Sequence, residues 1–432
     1  MLSPARLAGV IGTPAPAVAA ALPSGPAVPA EALVDLQAIR HNVATLRARA
    51  EGAELMAVVK ADAYGHGLLP CARAAREGGA SWLGVAQLAE GLALRAGGDT
   101  GRLLSWLHVP GEDFAAAVRA DIDLSASAIW AVDEIAAAAA EQGTTARLHL
   151  KVDTGLSRGG ATAAQWHDLV RAALAAQAEG TLTVVGLWSH LAWADAPEHP
   201  TVRRQQEVFE RAVADAERLG VRPQVRHLAN SAATLTNPAS HYDLVRPGLA
   251  VYGLSPVPDL HDPEALGLRP AMSLRARLSL VKQVPAGSGV AYGHEYVTQR
   301  DTVLGLVPLG YADGIPRAAG NAGPVLVAGR VHPVAGRVSM DQIVVDLGGD
   351  EAAHVARAGD PVVLFGDAAL GEPTAQQWAQ AASTISYDIV ARIGGRVTRR
   401  YVGAELGVEL GTELGAELGT EPGAEPGAQV HQ

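Results

Sequence analysis

The sequence predicts an α/β architecture, a (β/α)₈ barrel followed by a mainly β C-terminal domain, on three observations. Short β-branched or apolar runs alternate with longer Ala-rich helical stretches from residue 31 onward, and the strand candidates number eight, the count that closes a barrel. Beyond about residue 267 the texture changes to Val-rich runs broken by Gly and Pro, the pattern of short strands and turns. The length, 432 residues, exceeds what one hydrophobic core usually serves, so a large domain plus a smaller one is expected.

Residues 1–30 carry Pro14, Pro16, Pro23, Pro26 and Pro29 among alanines. Arg6 is their only basic residue and the prolines interrupt the apolar stretch, so they are expected to form a disordered extension, or an over-called start, rather than a signal peptide. The barrel is expected over 31–267, with strands at Leu55–Val59, Trp82–Val85, Leu103–Leu107, Ile122–Leu124, Arg147–Lys151, Thr183–Trp188, Val225–Leu228 and Asp243–Val245. Thr201–Gly220 shows the helix type: Val202, Gln206, Phe209 and Val213 share one face and Gly220 ends it. The β domain is expected over 268–402, with strands at Val303–Val307, Val325–Val327, Gln342–Leu347 and Pro361–Phe365 and one helix at Thr374–Ser383. From Gly403 to Gln432 a four-residue repeat of the ELG type takes over. Its regular Gly and its Glu load predict a disordered acidic tail.

Charge narrows the partners. The 34 basic and 45 acidic side chains give −11, and six of those negative charges sit in the tail, leaving a body near −5 with no basic stripe for nucleic acid or an anionic membrane surface. Any phosphate site must therefore be local. A single cysteine, Cys71, rules out an intramolecular disulfide and fits a reducing, cytoplasmic compartment. No apolar run approaches the ~18 residues of a membrane span.

The chemistry is signalled at the end of the first barrel strand, which reads Ala57-Val58-Val59-Lys60-Ala61-Asp62-Ala63-Tyr64-Gly65-His66-Gly67. An ammonium at the C-terminal mouth of a barrel strand is either a surface ion-pair partner or a reactive amine able to condense with an aldehyde. This run resembles the lysine motif of alanine racemases, which depend on pyridoxal 5′-phosphate. The resemblance spans about residues 31–402 and includes Lys151-Val152-Asp153-Thr154-Gly155-Leu156-Ser157-Arg158, Ser189-His190, Ala229-Asn230-Ser231, Arg246-Pro247-Gly248-Leu249, Ala291-Tyr292-Gly293, Gly310-Tyr311-Ala312-Asp313-Gly314, Val338-Ser339-Met340-Asp341 and Ile385-Ser386-Tyr387, in the family order. Where relatives often carry Cys, this chain has Ser339.

The resemblance implies roles residue by residue. Lys60 would carry the cofactor and act as one base. Tyr64, Asn230, Ser231, Gly248, Leu249 and Tyr387 would hold the cofactor, chiefly at its phosphate. Arg246 would face the pyridine nitrogen, and His190 would lie in the network around it with His227. Arg158 would reach the cofactor phenolate and the substrate carboxylate, while Tyr311, Met340 and Asp341 would line the substrate's approach; no metal is implied. Lys151 is carbamylated in some relatives. Plainer readings stay open at this point: Arg246 can pair with a carboxylate beneath the barrel, Arg158 can cap a loop, His190 and His227 can be buried hydrogen-bonded histidines, the tyrosines can be packing aromatics and 336–342 can be a strand turn.

Racemisation removes an α-proton from one face of a planar carbanion and returns one to the other, so two bases on opposite sides are economical. By resemblance they are Lys60 and Tyr292, the latter contributed by the partner subunit of a homodimer. The implied function is interconversion of L- and D-alanine for cell-wall peptidoglycan. Decarboxylases of similar architecture usually set an acidic group at the pyridine nitrogen and a catalytic cysteine in the second domain, against which Arg246 and the lone Cys71 argue. Single-barrel cofactor carriers lack the β domain that supplies Tyr292. A broad-specificity or serine racemase would share most of the motifs.

Overall fold

The computed structural model describes residues 28–349, 353 and 355–403. The expected N-terminal extension up to residue 27 and the repeat tail from residue 404 lie outside the described residues. In chain order the strands are β1 (Ala30–Asp35), β2 (Glu54–Val58), β3 (Trp82–Val85), β4 (Arg102–Ser105), β5 (Asp123–Ala126), β6 (Ala146–Lys151), β7 (Leu182–Trp188), β8 (Val225–His227), β9 (Leu244–Val245), β10 (Met272–Arg277), β11 (Leu280–Val284), β12 (Gly289–Val290), β13 (Tyr296–Val297), β14 (Thr302–Val307), β15 (Pro324–Val327), β16 (Arg330–Pro333), β17 (Ile343–Gly348), β18 (Pro361–Phe365) and β19 (Thr398–Val402).

Strands β2 to β9 form one parallel eight-stranded sheet in the order β8-β7-β6-β5-β4-β3-β2-β9, and each coincides with one of the eight expected runs to within a residue or two. The ring closes from β9 back to β8 through Asp243 N–H donating to Arg226 O at 3.1 Å and Arg246 N–H donating to Ala229 O at 2.9 Å. Leu55, Met56, Leu83, Leu103 and Leu104 are fully buried, as parallel strands covered on both faces require. Helices cover the outside. In Pro200–Leu219 the N-terminal Pro and the His199 cap start the helix and left-handed Gly220 stops it. Val202, Phe209 and Val213 face inward as expected, but Gln205 rather than Gln206 is buried, because it bonds Ala192 N–H and His190 O.

The expected barrel start at residue 31 takes in a strand that pairs elsewhere. Strand β1 lies in the six-stranded sheet β16-β15-β18-β10-β1-β19, antiparallel to β10 and parallel to β19. Its inward residues Ala32 and Val34 are fully buried, so the start of the described chain is sewn into the sheet that its end completes. Two smaller sheets, β11-β14-β17 and β12-β13, complete the second region, and the expected helix appears as Ala375–Ala381 with a Thr374/Gln377 capping box. No helix among the described residues is long and apolar enough to cross a membrane.

Candidate active site

Lys60 follows β2 at the C-terminal end of the barrel, and the next four residues take an unusual path. Ala61, Asp62, Ala63 and Tyr64 all have φ between +53° and +55°, one turn of left-handed helix without a glycine. Left-handed backbone costs L-residues roughly 1–2 kcal/mol each, so surrounding contacts must impose it. Glu90 Oε1 accepts from Ala61 N–H at 2.5 Å, Asp62 Oδ1 accepts from Leu68 N–H at 2.8 Å, and Val59 O accepts from Ala63 N–H at 2.8 Å. The helix Ser386–Ala391 closes against the turn so tightly that a β-carbon on Gly65 would lie 2.3 Å from Val390 O.

The consequence is a tyrosine cluster beside Lys60. The Tyr64 ring lies 4.9 Å from Tyr252 and 6.2 Å from Tyr387, which heads the same helix. Burial pushes the Tyr64 phenol well up and Tyr387 up to about 12, so both are neutral hydroxyl donors at neutral pH. Next to them, Ser231 Oγ accepts from Gly248 N–H at 2.8 Å and Ala250 N–H at 3.3 Å, and Asn230 caps the short helix that follows it through Ala233 N–H at 3.1 Å. Gly248 is where the chain comes up against the Tyr64 hydroxyl, and Leu249 begins the 3₁₀ turn Leu249–Tyr252 behind it. The loops after the seventh and eighth barrel strands thus bring hydroxyls and backbone amides to one place, a donor set suited to a phosphate monoester.

Four cations face one another across the same mouth. The Lys60 ammonium is held below its ordinary range by burial and by the positive fields of Arg158 and Arg246, with Glu90 pulling the other way. Lys151 is lowered to about 8 by burial and by Arg246, Arg158 and Lys60. Burial lowers Arg246 to about 9. His190 falls well below the usual imidazole range through burial and these same four cations. The positive fields that lower Lys60, Lys151 and His190 are relieved by an anion, and the cluster is therefore a binding place for a group bearing negative charge. Trp188 spaces it, with Lys151 Nζ 4.1 Å and the Arg246 guanidinium carbon 4.9 Å from its ring centroid.

Among the described residues Arg246 pairs with no carboxylate; it is 5% exposed and donates to Ser189 O at 2.8 Å and Leu228 O at 3.4 Å, to His227 Nδ1 at 3.1 Å, and lies 3.5 Å from His190 Nδ1. Arg158 is exposed on a loop that Asp153 shapes by accepting from Gly155, Leu156 and Ser157 N–H at 2.9, 3.0 and 3.1 Å.

The remaining sequence-predicted residues form a second group. Tyr292 is 72% exposed on a 3₁₀ turn entered through Ala291 at φ +56°, and no hydrogen bond or ring contact among the described residues ties it to Lys60. Tyr311 and Met340 are held together by Tyr311 N–H donating to Ser339 O at 3.0 Å and Ala312 N–H donating to Met340 O at 2.9 Å. Asp341 accepts from Arg396 at 2.8 Å, and Arg396 also binds Asp313. Segment 336–341 joins these to Tyr292, since a β-carbon on Gly336 would lie 3.1 Å from the Ala291 side chain.

Sequence reasoning passed over Asp123 and His149, which continue the Arg246–His227 contact into the barrel. A signal was present: β6 reads Arg147, His149, Lys151 at every second position, an alternation of charged and polar groups in a strand expected to be buried on both faces.

The family model for the N-terminal domain of alanine racemase matches residues 34–256, and that for the C-terminal domain matches 271–401. An alanine racemase of Frankia casuarinae is 58% identical over 380 residues, covering 88% of this chain and 98% of that protein. The crystal structure of alanine racemase from D-cycloserine-producing Streptomyces lavendulae superposes with a TM-score of 0.86 at 59% identity, covering 88% of this chain and 98% of the other. That of Streptomyces coelicolor gives 0.85 at 57% identity, covering 87% and 98%.

Proposed function

Since the chain belongs to the alanine racemase family and interconverts L- and D-alanine, we propose that it does so with pyridoxal 5′-phosphate on Lys60 and with Lys60 and Tyr292 serving opposite faces of the substrate. The observation that carries this reading is the convergence of Lys60 and Lys151, both lowered by burial and by the positive fields of Arg158 and Arg246, beside the hydroxyl and amide cradle of Tyr64, Ser231, Gly248 and Tyr387.

The residues fit the cofactor as a donor set. Tyr64, Tyr387, Ser231, Asn230 and the amides of Gly248 and Leu249 would hold its phosphate, Arg246 would meet its pyridine nitrogen, and His190 would back Arg246. When bound, the cofactor supplies an electron sink that makes the α-proton of an amino acid removable. The protein's part is to hold and move protons. Lys60 Nζ, lowered by burial and neighbouring charge, gives up its own proton more readily than an exposed lysine and so can take the α-proton on its face. Arg158 offers a guanidinium for the substrate carboxylate. Arg246 has no lone pair to offer and keeps its protons, so it limits charge withdrawal by the ring rather than completing it.

Tyr292 Oη is the base for the other face. Its exposure on a turn, away from its own Lys60 and among Tyr311, Met340 and Asp341, supports a head-to-tail homodimer in which each β domain completes the partner's barrel. D-Alanine made this way is a building block of cell-wall peptidoglycan, and the compartment would be the cytoplasm. Borohydride reduction followed by peptide mapping tests the anchor: the pyridoxyl label falls on Lys60, and a label on Lys151 or Lys282 instead would overturn the assignment.

A further inference from the structure

Behind Arg246 a line of buried groups runs down the barrel axis. Arg246 NH1 meets His227 Nδ1 at 3.1 Å, His227 Nε2 meets His149 Nδ1 at 2.9 Å, and His149 Nε2 meets Asp123 Oδ2 at 3.2 Å. His227, His149 and Asp123 are all fully buried. Asp123 also accepts from Arg102 at 2.6 Å and Arg147 at 2.5 Å, where the line reaches the far end of the barrel. We propose that Asp123 and His149 are positioning residues of the racemisation site, fixing the tautomer of His227 so that its Nδ1 can only accept and thereby orienting the Arg246 guanidinium; this rests on the assignment of Arg246 to the cofactor's pyridine nitrogen.

The direction of every bond follows from one end. Burial would raise the Asp123 carboxyl, but the His149 hydrogen bond and the charges of Arg147 and Arg102 hold it below its usual range, so it is ionised and only accepts. His149 must then carry its proton on Nε2. Burial keeps His149 from taking a second proton, which leaves Nδ1 as an acceptor. His227, kept neutral by burial and by Arg246, must place its proton on Nε2 to donate to that acceptor, and its own Nδ1 is left to receive from Arg246. Were the order reversed, an N–H of His227 would point at an N–H of the guanidinium. A donor facing a donor in a buried place would push Arg246 aside.

The barrel is shaped around this line. The β6–β7 register shifts between Leu148 and His149, so that Leu148 faces Val184 but His149 faces Gly186. A β-carbon on Gly186 would lie 2.0 Å from His149 Nδ1. The bulge and the missing side chain together make the slot that the His149 ring occupies. Trp188 stacks on His227 at 5.5 Å and 10°, and the Trp82 edge meets His149 at 5.6 Å, so neither ring can flip to exchange its nitrogens.

The test uses ¹⁵N-histidine-labelled holoenzyme, in which proton-bearing and bare ring nitrogens have distinct shifts, with Asp123→Asn and His149→Leu as variants. His149→Leu leaves Asp123 paired with both arginines and serves if Asp123→Asn fails to fold. In the wild type both His149 and His227 should show bare Nδ1 and protonated Nε2. In either variant His227 should become a mixture of tautomers, the absorbance of the bound cofactor should shift, and kcat should fall by about tenfold or more, the scale at which outer partners of a site act, with KM for alanine unchanged within about twofold because Arg158 is untouched. A wild-type His227 protonated on Nδ1 would overturn the proposal. So would variants with scrambled tautomers but wild-type spectrum and kcat. Were the assignment of Arg246 itself at fault, the failure would look different: the wild-type tautomers would stand, while Arg246→Lys left the cofactor's absorbance unchanged.

Discussion

The phenol oxygen of Tyr64 lies where residue 248 has no side chain: a β-carbon there would sit 2.1 Å from it and 2.8 Å from the ring carbon that bears it. Tyr64 cannot swing away, because it is buried against Tyr252 and near Tyr387. Gly248→Ala is therefore expected to force apart the hydroxyl and the amide that meet at the proposed phosphate cradle. Cofactor affinity should fall at least tenfold, about 1.4 kcal/mol, in a titration of apoenzyme followed by absorbance. Wild-type affinity in this variant would place the phosphate somewhere else.

Tyr292→Phe keeps the ring and removes only the ionisable oxygen. Racemisation should drop by the ~10²–10⁴ of a lost acid–base group, with cofactor binding intact. In D₂O the variant should still wash deuterium into D-alanine faster than it converts it, while exchange from L-alanine nearly stops, because Lys60 is the base proposed for the face that D-alanine presents. Equal survival of both exchanges would make Tyr292 a positioning residue.

Acid should unfold the protein through its buried imidazoles. Burial lowers His66 to about 4, although its Nδ1–H donates to Tyr64 O at 2.9 Å. In the unfolded chain the same group titrates near ~6.5. The folded value being the lower one, its contribution is complete above pH ~6.5 and is lost as pH falls through 4, to a total of about 3 kcal/mol. His66→Asn retains a donor for Tyr64 O without the titration. Urea unfolding followed from pH 7.5 to 4 should therefore show a shallower loss of stability in the variant, and identical slopes would remove His66 from the acid transition.

Trimming to Ala30–Val402 should leave a folded racemase working near the full rate, because β1 and β19 are both retained. Cutting instead at Leu36 removes β1 from between β10 and β19. That shorter chain should lose several °C of Tm at least, readable by calorimetry. An equal Tm for the two would mean that the sheet closes without its first strand.

Much of this was legible in the sequence for a physical reason. Barrel strands are short apolar runs set between helices, and all eight stood out because both faces of each are covered; Lys60, Arg246 and Gly248 follow such runs directly. Where the chain departed from expectation, the cause lay in partners distant in sequence. No strand is expected at Ala30–Asp35, because AEALVD lacks a clean alternation and its partners β10 and β19 lie far along the chain. The left-handed turn over Ala61–Tyr64 contains none of the Gly or Asn that usually announce positive φ, because Glu90 and the helix Ser386–Ala391 impose it from outside. Asp123 and His149 were overlooked because a polar residue on a barrel strand acquires meaning only from the strand beside it.

The place of β1 bears on how the chain is made. On the ribosome Ala30–Asp35 emerges well before its neighbours β10 and β19, which are encoded some 240 and 370 residues later. At roughly 5–20 residues per second the strand waits on the order of 12 s or more for its earlier partner, with Leu33 and Val34 unprotected. The barrel can assemble on the nascent chain in that interval, because β2 to β9 pair only with one another. Emergence of β19 is then the event that locks β1 in place, so a translation product stalled or truncated before β10 carries a finished barrel and an unclaimed strand, a handle by which a chaperone or protease can recognise it.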